Sequence, residues 1–426
     1  MNNSNQSIKA LEEKIRKDFK PLSLSQMLQL ESPELVNLFF SKMDHFVSAN
    51  VRGISSSQLR KVYDKIVGAR QTDKITIQRP QFAYIIARQP NESAKKVMLL
   101  VELLAREVSH DTIKGFLFVL ESIVALHKFY ETLRGRRAKP EKILEAVRKE
   151  LAPFKLESLL ELEKSSQIDK LLQKVEDFIK ENGSGVTSTQ LRNIYDKVLA
   201  ANTVLEIKKL YPVLAYTLVR QGRDNADELV ILIIEATRLC ENADDSVVAF
   251  SKFMEIIVCY HKYYESNKEE GQDSKKDKHS SRNKKSSKYL LEEIREHFKP
   301  FSLDFLLTTK SNPGYAQLQD KLKEFIYDNA DGVNSSQLRK LYDSVKDSES
   351  IQKIKLLHPL FYYTIARQGN LKAKKLMLLL SKLTKEVNKE NLKGYKQLME
   401  NVVSYHKYFE VLLMNYVKIN PYEITR

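Results

Sequence analysis

The sequence predicts an all-α protein made of three tandem small helical-bundle domains, each with about five to six helices. Leu, Ile, Lys and Glu dominate its 426 residues, and only 12 glycines and 11 prolines occur, which favours helices over sheets. Apolar residues recur at helical spacing in segments such as LMLLLSKLTKEV and FLFVLESIVALHKFY. In addition, one long unit is written three times along the chain.

Three anchors fix the register of the repeats. A short amphipathic segment ends in proline in every copy (LEEKIRKDFKP, ILEAVRKELAP and LLEEIREHFKP), and a glutamine and an arginine follow at the same intervals. Every copy then closes on a similar string: IVALHKFYE, IVCYHKYYE or VVSYHKYFE. A unit of about 130 residues is a domain in its own right and not a solenoid turn. The anchors are Pro21, Gln58 and Arg88; Pro153, Gln190 and Arg220; and Pro300, Gln337 and Arg367.

These anchors predict the domain organisation. Three helical domains are expected at residues 1–137, 138–267 and 289–426. Residues 268–288 form a charged stretch without apolar side chains, so they cannot pack and should form a flexible linker. Such a linker would span about 25 Å on average.

Composition also excludes several classes of protein. The two cysteines, Cys240 and Cys259, cannot supply a disulfide framework or a four-thiolate zinc site. The N-terminal segment has no apolar signal region, and the longest apolar run, LVILII, is too short to span a bilayer. We therefore expect a soluble, cytoplasmic protein that does not bind membranes. The formal net charge of +15 is compatible with nucleic-acid binding but also with a lysine-rich solvated surface.

The strings GISSSQLRKVYDKI, GVTSTQLRNIYDKV and GVNSSQLRKLYDSV predict a helix start in each repeat. A Ser, Thr or Asn precedes a glutamine by three positions, the pattern of a capping box or a good N-cap. A hydrophobic residue before the cap and a leucine inside the helix form a staple, and the glycine permits the turn. The cap pairs are Ser55 and Gln58, Thr187 and Gln190, and Asn334 and Gln337.

An arginine follows each helix start: Arg60, Arg192 and Arg339, the outer two with Lys61 and Lys340 beside them. Each arginine has an aspartate four residues later, so a simple surface ion pair explains it. The alternative is phosphate binding beside a helix N-terminus, where free N–H groups already favour an anion. Both interpretations stay open on the sequence.

A second string reads RPQFAYIIARQ, YPVLAYTLVRQ and HPLFYYTIARQ. Its prolines, Pro80, Pro212 and Pro359, suit a first helical position. Its arginines, Arg88, Arg220 and Arg367, lie near the helix end, where any cation suits the helix dipole. Three arginines and no lysine favour a planar fork that binds phosphate or carboxylate.

The closing string carries His127, His261 and His406, followed by Lys128, Lys262 and Lys407. Histidine is a natural general base, but no second histidine occupies a shared position as an acid partner. No phosphate-binding glycine loop, carboxylate pair or metal-ligand spacing recurs in all three repeats either. We therefore expect the aromatic neighbours to pack, and we predict no enzyme, no catalytic residue, no metal and no cofactor.

Charge is distributed unevenly among the repeats. The outer two are net basic, whereas the middle repeat is net acidic. Lys95 and Lys96 correspond to a second lysine pair in the third repeat, but Asp227 and Glu228 stand there in the middle repeat. RNA running along all three repeats would depend on the repeated arginines and lysines, whereas RNA on the outer repeats alone would use the lysine pairs.

The three repeats resemble the small subunit of type III-A CRISPR effector (Csm) complexes. The likeness lies in the helix start T-S/T-x-Q-L/I-R, the segment P-x-x-A-Y-x-x-x-R-Q and the closing YHKYY, and it covers all but the linker. It implies a non-catalytic helical bundle that stacks head to tail along the guide RNA–target RNA duplex and contacts its backbone without reading sequence. Implied protein partners are the backbone and large subunits of the effector, to which cleavage and second-messenger synthesis belong.

Fusion of three copies departs from that family pattern and would fix copy number. The acidic middle repeat is expected to face a neighbouring protein subunit. The competing hypothesis is a helical protein-binding scaffold without direct RNA contact. The candidate nucleic-acid-binding residues are Arg60, Lys61, Arg88, Lys128, Arg192, Arg220, Lys262, Arg339, Lys340, Arg367 and Lys407.

Overall fold

The structure is a computed structural model that describes residues 2–67, 72–89, 91–136, 138–221, 226–241, 244–273, 287–309, 312–330, 332–348, 350–367 and 370–419. Within these ranges the regular elements are α-helices and short 3-10 segments, with no strand. The all-α fold class is confirmed. None of the helices in the described ranges combines the length and the apolar character needed to cross a bilayer.

The first repeat has six longer helices and one short one among its described residues. The sixth helix is its centre, because nearly every side chain from Val97 to Ala105 is buried. Its neighbours have the amphipathic pattern of helices that pack in a bundle. The helices are α1 (Asn2–Phe19), α2 (Leu24–Leu28), α3 (Pro33–Asn50), α4 (Ser56–Val67), α5 (Thr72–Arg88), α6 (Glu92–Arg106) and α7 (Ile113–Gly135).

The second repeat follows the same plan, with 3-10 segments at Leu156–Leu160, Leu162–Lys164 and Gly183–Gly185. Its buried central helix is the counterpart of α6 and carries the apolar run LVILII. The helices are α8 (Pro140–Leu151), α9 (Ile168–Asn182), α10 (Ser188–Leu199), α11 (Val204–Lys209), α12 (Tyr211–Gln221), α13 (Asp227–Leu239) and α14 (Asp244–Asp273).

The third repeat begins with one helix and a 3-10 segment at Leu303–Leu307. Its central helix is the one that contains Leu376–Leu380, and these five residues are fully or almost fully buried. The helices are α15 (Ser287–Phe298), α16 (Tyr315–Asn329), α17 (Ser335–Lys346), α18 (Ile351–Lys355), α19 (His358–Arg367), α20 (Leu371–Lys385) and α21 (Leu392–Ile419).

The prolines of the second string behave differently in the three copies. Helices α12 and α19 each start one residue before the proline, so Pro212 and Pro359 lie in a first turn, where a missing N–H costs nothing. The first copy was predicted wrongly. Helix α5 begins at Thr72 and continues through Pro80, so one helix occupies the place of the two shorter helices found in the other repeats.

The predicted linker lies mostly outside the described residues. Helix α14 continues to Asp273 and α15 starts at Ser287, so the two ends of the 268–288 stretch are helical. The three-domain division stays a prediction. By its internal contacts the chain separates into two compact units, Met1–Leu160 with Glu181–Met254, and Glu161–Lys180 with Glu255–Arg426.

The first compact unit contains a joint between the first and second repeats. Asp44 of α3 accepts hydrogen bonds from Tyr211 Oη at 2.8 Å and from the guanidinium of Arg238 on α13. Beside them, Lys208 Nζ donates to Asn37 Oδ1 at 3.0 Å. Asp44, Tyr211 and Lys208 are all buried. Burial raises the pKa of Asp44, and the positive charge of Arg238 opposes that rise.

The second compact unit contains a joint between the second and third repeats. Glu176 of α9 accepts from Lys385 Nζ on α20 at 3.1 Å and from Tyr264 Oη at 2.8 Å. Lys355 donates to Asp169, earlier on the same helix α9. Glu176 is 4% exposed, so the carboxylate of this ion pair is buried, whereas Lys385 is half-buried.

The two joints use the same positions of the repeat. Each places a carboxylate of one repeat against a cation on the central helix of the next, and each adds a second polar pair beside it. In the second joint a tyrosine hydroxyl from the closing string, that of Tyr264, also donates to the carboxylate, and Tyr130 is its equivalent in the first repeat. The equivalent pairs are Asp44 and Glu176, Arg238 and Lys385, Asn37 and Asp169, Lys208 and Lys355, and Tyr130 and Tyr264.

His358 makes the second joint sensitive to pH. Its Nδ1 lies 3.3 Å from Tyr260 Oη, and its ring centroid lies 4.4 Å from that of Tyr362. Burial lowers the pKa of His358 well below its ordinary value, and the charge of Lys385 lowers it further. As the pH falls below about 6.5, this histidine becomes protonated in the unfolded chain but stays neutral in the folded chain. The free energy of unfolding therefore falls as the pH drops below about 6.5.

We expect His358→Tyr to reduce that pH dependence, because tyrosine occupies the same position in the first joint as Tyr211. The loss of stability below about pH 6.5 should become shallower by up to about 1.4 kcal/mol per pH unit. Urea unfolding at a series of pH values measures this slope. His110→Tyr is the matched control, since the His110 side chain is 97% exposed. An unchanged slope in His358→Tyr would contradict the prediction.

Candidate nucleic-acid interface

The thrice-written string is confirmed as a helix start. In the second repeat Gln190 N donates to Thr187 Oγ1 at 3.2 Å, and Thr187 N donates to Gln190 Oε1 at 2.8 Å, which completes a capping box. Ser55 and Gln58 make the same reciprocal pair in the first repeat. In the third, Asn334 Oδ1 accepts from the N–H groups of Ser336 and Gln337. The staple residues before and inside each helix are buried.

The glycine of this string is required by close approach as well as by the turn. A Cβ on Gly53 would lie 2.1 Å from the backbone nitrogen of Ala94, at the start of α6. A Cβ on Gly185 would lie 2.6 Å from the side chain of Ala226. Only Gly332 also needs a positive φ, of 87°. The opening of the string is therefore a folding signal.

Arg60 belongs to the first joint. Its guanidinium donates to the hydroxyl of Tyr216 on α12 and lies 5.7 Å from the centroid of that ring. The ion pair predicted with Asp64 is present, with Nε 3.9 Å from Oδ2. Arg192 and Arg339 are exposed at the equivalent positions of α10 and α17. Arg60 therefore contacts two protein groups, the side chains of Tyr216 and Asp64.

The arginines of the second string lie beside tyrosines. Arg88 Nη1 donates to Tyr84 Oη at 3.0 Å, and the guanidinium carbon lies 5.5 Å from the Tyr84 ring centroid. Arg367 lies over Tyr363 in the same way, at 5.6 Å. The side chain of Arg220 lies outside the described residues. Tyr84 is 60% exposed, so the first repeat presents an arginine and an aromatic face together to solvent.

A groove between α4 and α5 brings several cations together. Its volume is about 630 Å³, and Lys61, Lys65 and Arg88 line it with Tyr84. Arg60 is not among the lining residues, so the two predicted arginines of this repeat do not converge. Lys61 and Arg88 do line the same groove, and neither forms an ion pair with a carboxylate of the described chain. Asp64, which pairs with Arg60, also lines the groove, but two cations without an ion-pair partner beside an exposed ring suit a phosphate backbone.

The third repeat also has open cations, by which we mean exposed cations without a carboxylate partner in the described chain. Arg339, Lys340 and Arg367 are exposed, and in the ranges that the structure covers none of them pairs with a carboxylate. The second repeat has Asn193 where the outer repeats have Lys61 and Lys340. Open cations therefore occur together in the outer repeats.

The lysines of the closing string are neutralised by the protein itself. Lys128 and Lys262 lie 3.2 Å from carboxylate oxygens of Glu131 and Glu265, and Lys407 lies 2.6 Å from Glu410. Each pair joins positions three apart on one helix. These pairs remain accessible to water and contribute little to stability, but they reduce the attraction of each lysine for phosphate.

The histidines of the same string hold helix starts in place. His127 Nδ1 lies 3.0 Å from Ser56 Oγ at the start of α4, and His406 Nδ1 lies 3.1 Å from Ser335 Oγ at the start of α17. Both rings are buried, and burial lowers the pKa of each. These residues fasten α4 to α7 and α17 to α21.

The acidic substitution in the middle repeat also has a partner. Asp227 accepts from Arg136, at the end of α7, at 2.5 Å. The position that carries Lys95 in the first repeat therefore serves a contact between the first two repeats. Across the described ranges, no group of three or more His, Cys, Asp and Glu side chains is arranged to hold a metal ion.

Comparison with known proteins found one family. A sequence model of the family described as Csm2 Type III-A matches the chain three times, at residues 36–132, 163–267 and 315–411. Each match lies within one repeat, and together they cover well over half of the chain. Searches of curated proteins and of solved structures found no match.

Proposed function

The chain belongs to the Csm2 Type III-A family, the small subunit of type III-A CRISPR effector complexes, and from that premise we propose an RNA-binding structural role. The subunit binds the backbone of the guide RNA–target RNA duplex without reading sequence, and it bridges the backbone and large subunits of the effector. It carries out no chemistry itself. The match of the family to every repeat is the observation that carries this proposal.

Charge in the structure supports a division of labour among the candidate residues. The cations without carboxylate partners in the described chain are the ones free to meet phosphate: Lys61 and Arg88 in the first repeat, and Arg339, Lys340 and Arg367 in the third. The lysines of the closing string are held by glutamates, and Arg60 is held by Tyr216. RNA contact therefore falls mainly on the outer repeats.

The test is binding of a guide–target RNA duplex to the full chain across a salt series, alone and with the partner subunits. Alanine at all five open cations should weaken binding roughly tenfold to a hundredfold and reduce the salt slope by about one for each phosphate that is no longer neutralised. Alanine at Lys128, Lys262 and Lys407 is the matched control and should change binding far less. Circular dichroism checks that both variants remain helical.

The alternative is that the chain is a helical protein-binding scaffold without direct RNA contact. The ion pairs of the closing-string lysines and the contact of Arg60 with Tyr216 favour it. Equal duplex binding by the natural chain and the open-cation variant, with a flat salt dependence, would support the scaffold and reject the RNA proposal.

A further inference from the structure

The two internal joints define two complementary faces of the repeat. We call the acidic face the one that carries Asp44 in the first repeat and Glu176 in the second. We call the cationic face the one that carries Arg238 in the second repeat and Lys385 in the third. Two faces stay outside the joints: the acidic face of the third repeat and the cationic face of the first.

The unused acidic face has lost its acid. Lys323 of α16 stands at the position of Asp44 and Glu176, and it is exposed. Phe409 stands at the position of Tyr130 and Tyr264, so the hydroxyl that donated to the carboxylate is gone as well. Ala316 replaces the acceptor of the second polar pair, which is Asn37 in the first joint. A cation that approached this face would meet a cation.

The unused cationic face has its arginine already occupied. Arg106 stands at the position of Arg238 and Lys385, and its guanidinium binds Glu102 at 2.7 Å and Glu12 at 3.1 Å within the first repeat. Glu102 also accepts from Arg79, which stands at the position of Tyr211.

The carboxylates that occupy Arg106 are specific to the first repeat. Ile234 and Ser381 stand at the position of Glu102 in the other repeats, and leucines stand at the position of Glu12. Arg238 also pairs with Glu235 of its own helix, but it keeps one side for Asp44 of the neighbouring repeat, whereas the carboxylates that pair with Arg106, those of Glu12 and Glu102, belong to its own repeat.

We propose that these changes close the array at three repeats, so that the two end faces reject a further copy of this chain. A second copy that stacked through the same contact would bury Lys323 opposite Arg106. Arg106 already has two carboxylate partners and cannot act as the cation that the joint needs, and Lys323 would be a buried cation without the acceptor that the joint supplies, which is poorly tolerated. The altered faces therefore prevent a second chain from adding through the joint contact. The inference holds whether or not the chain binds RNA.

One carboxylate on the third-repeat face works against this arrangement. Asp320 lies one helical turn before Lys323, at the position of Gln173, whose side chain accepts from Lys385 at 3.4 Å. In the second joint this position supplements the carboxylate of Glu176, which lies at 3.1 Å from the same nitrogen. Asp320 therefore supplies only this supplementary acceptor, and the cation Lys323 still occupies the position of Glu176.

The test restores each end separately in the full-length chain. One variant regains the acidic face by Lys323→Glu with Phe409→Tyr. The other regains the cationic face by Glu12→Leu, Glu102→Ile and Arg79→Tyr, the residues of the second repeat at these positions. Each alone should stay monomeric in sedimentation velocity, and an equimolar mixture should form a one-to-one dimer and stop there. Association in the mixture should be roughly a hundredfold tighter than self-association of the natural chain.

Two controls keep the result decisive. Lys340→Glu makes the same charge change in the third repeat away from the face, and it should not dimerise with the second variant. If the triple variant loses helicity, Glu102→Ser alone, the residue of the third repeat, replaces it. Head-to-tail oligomers of the natural chain would overturn the proposal. So would a mixture of folded variants that stays monomeric at every concentration.

Discussion

Replacing Arg238 by alanine is expected to lower the free energy of unfolding by about 3–5 kcal/mol, because it leaves Asp44 buried without its cation. Asp44 is 9% exposed, and once the guanidinium is gone the hydroxyl of Tyr211 remains as its donor. Its pKa, already raised by burial, then rises further because the opposing charge has been removed. The deficit should therefore shrink as pH falls and Asp44 becomes protonated.

Urea unfolding of a double-mutant cycle measures this effect. Asp44→Asn removes the charge but keeps the shape, so the double variant with Arg238→Ala should lose clearly less than the sum of the two single losses. Arg238→Lys is the matched control, since Lys385 serves the second joint from the same position. A loss below about 1 kcal/mol for Arg238→Ala would show that water reaches Asp44 and that the joint is not a buried ion pair.

The second large effect concerns helix contact inside a repeat. A Cβ on Gly115 would lie 1.8 Å from the carbonyl oxygen of Leu28, where α7 crosses α2. Gly394 stands at the equivalent position of α21, and its Cβ would lie 1.7 Å from Leu307 O. Backbone cannot move aside as a side chain can. We therefore expect Gly115→Ala to cost about 3 kcal/mol, at the upper end for overpacking.

Thermal or urea unfolding tests this against Gly135→Ala on the same helix. No atom lies within 4 Å of a Cβ at Gly135, so this substitution should cause no loss and could add up to about 1 kcal/mol of stability. Similar losses in the two variants would mean that the effect arises from the helix itself and not from the crossing. Gly394→Ala should behave like Gly115→Ala.

Much of the fold could be predicted because its signals are local. Capping residues, staples and apolar stripes depend on neighbours within a few positions, and the internal repetition showed which of them matter. The prediction that Pro80 lies at a first helical position was wrong, because a proline can follow several helical residues when tertiary packing keeps the helix together. The end of α14 in the charged stretch was missed because polar composition alone does not stop a helix.

The candidate site was harder to predict, because whether a surface cation is available to a ligand depends on which carboxylates lie beside it in the fold. Lys128 stays a predicted phosphate ligand, and its ion pair with Glu131, which the spacing of three residues already indicates, reduces its attraction for phosphate. Tyr84 was overlooked because an aromatic residue in an amphipathic helix is usually read as core. Asp44 and Arg238 could not be paired from sequence, since they lie in different repeats and nothing local connects them.

The joints also account for one difference among the three copies of the closing string. His127 contacts a helix start of its own repeat, whereas Tyr264 donates to the carboxylate of Glu176 at a joint. All three copies have the histidine, whereas Phe409 lacks the tyrosine hydroxyl, and the acidic face of its repeat takes part in neither joint. Differences between the copies at these positions therefore indicate which faces of a repeat take part in a joint.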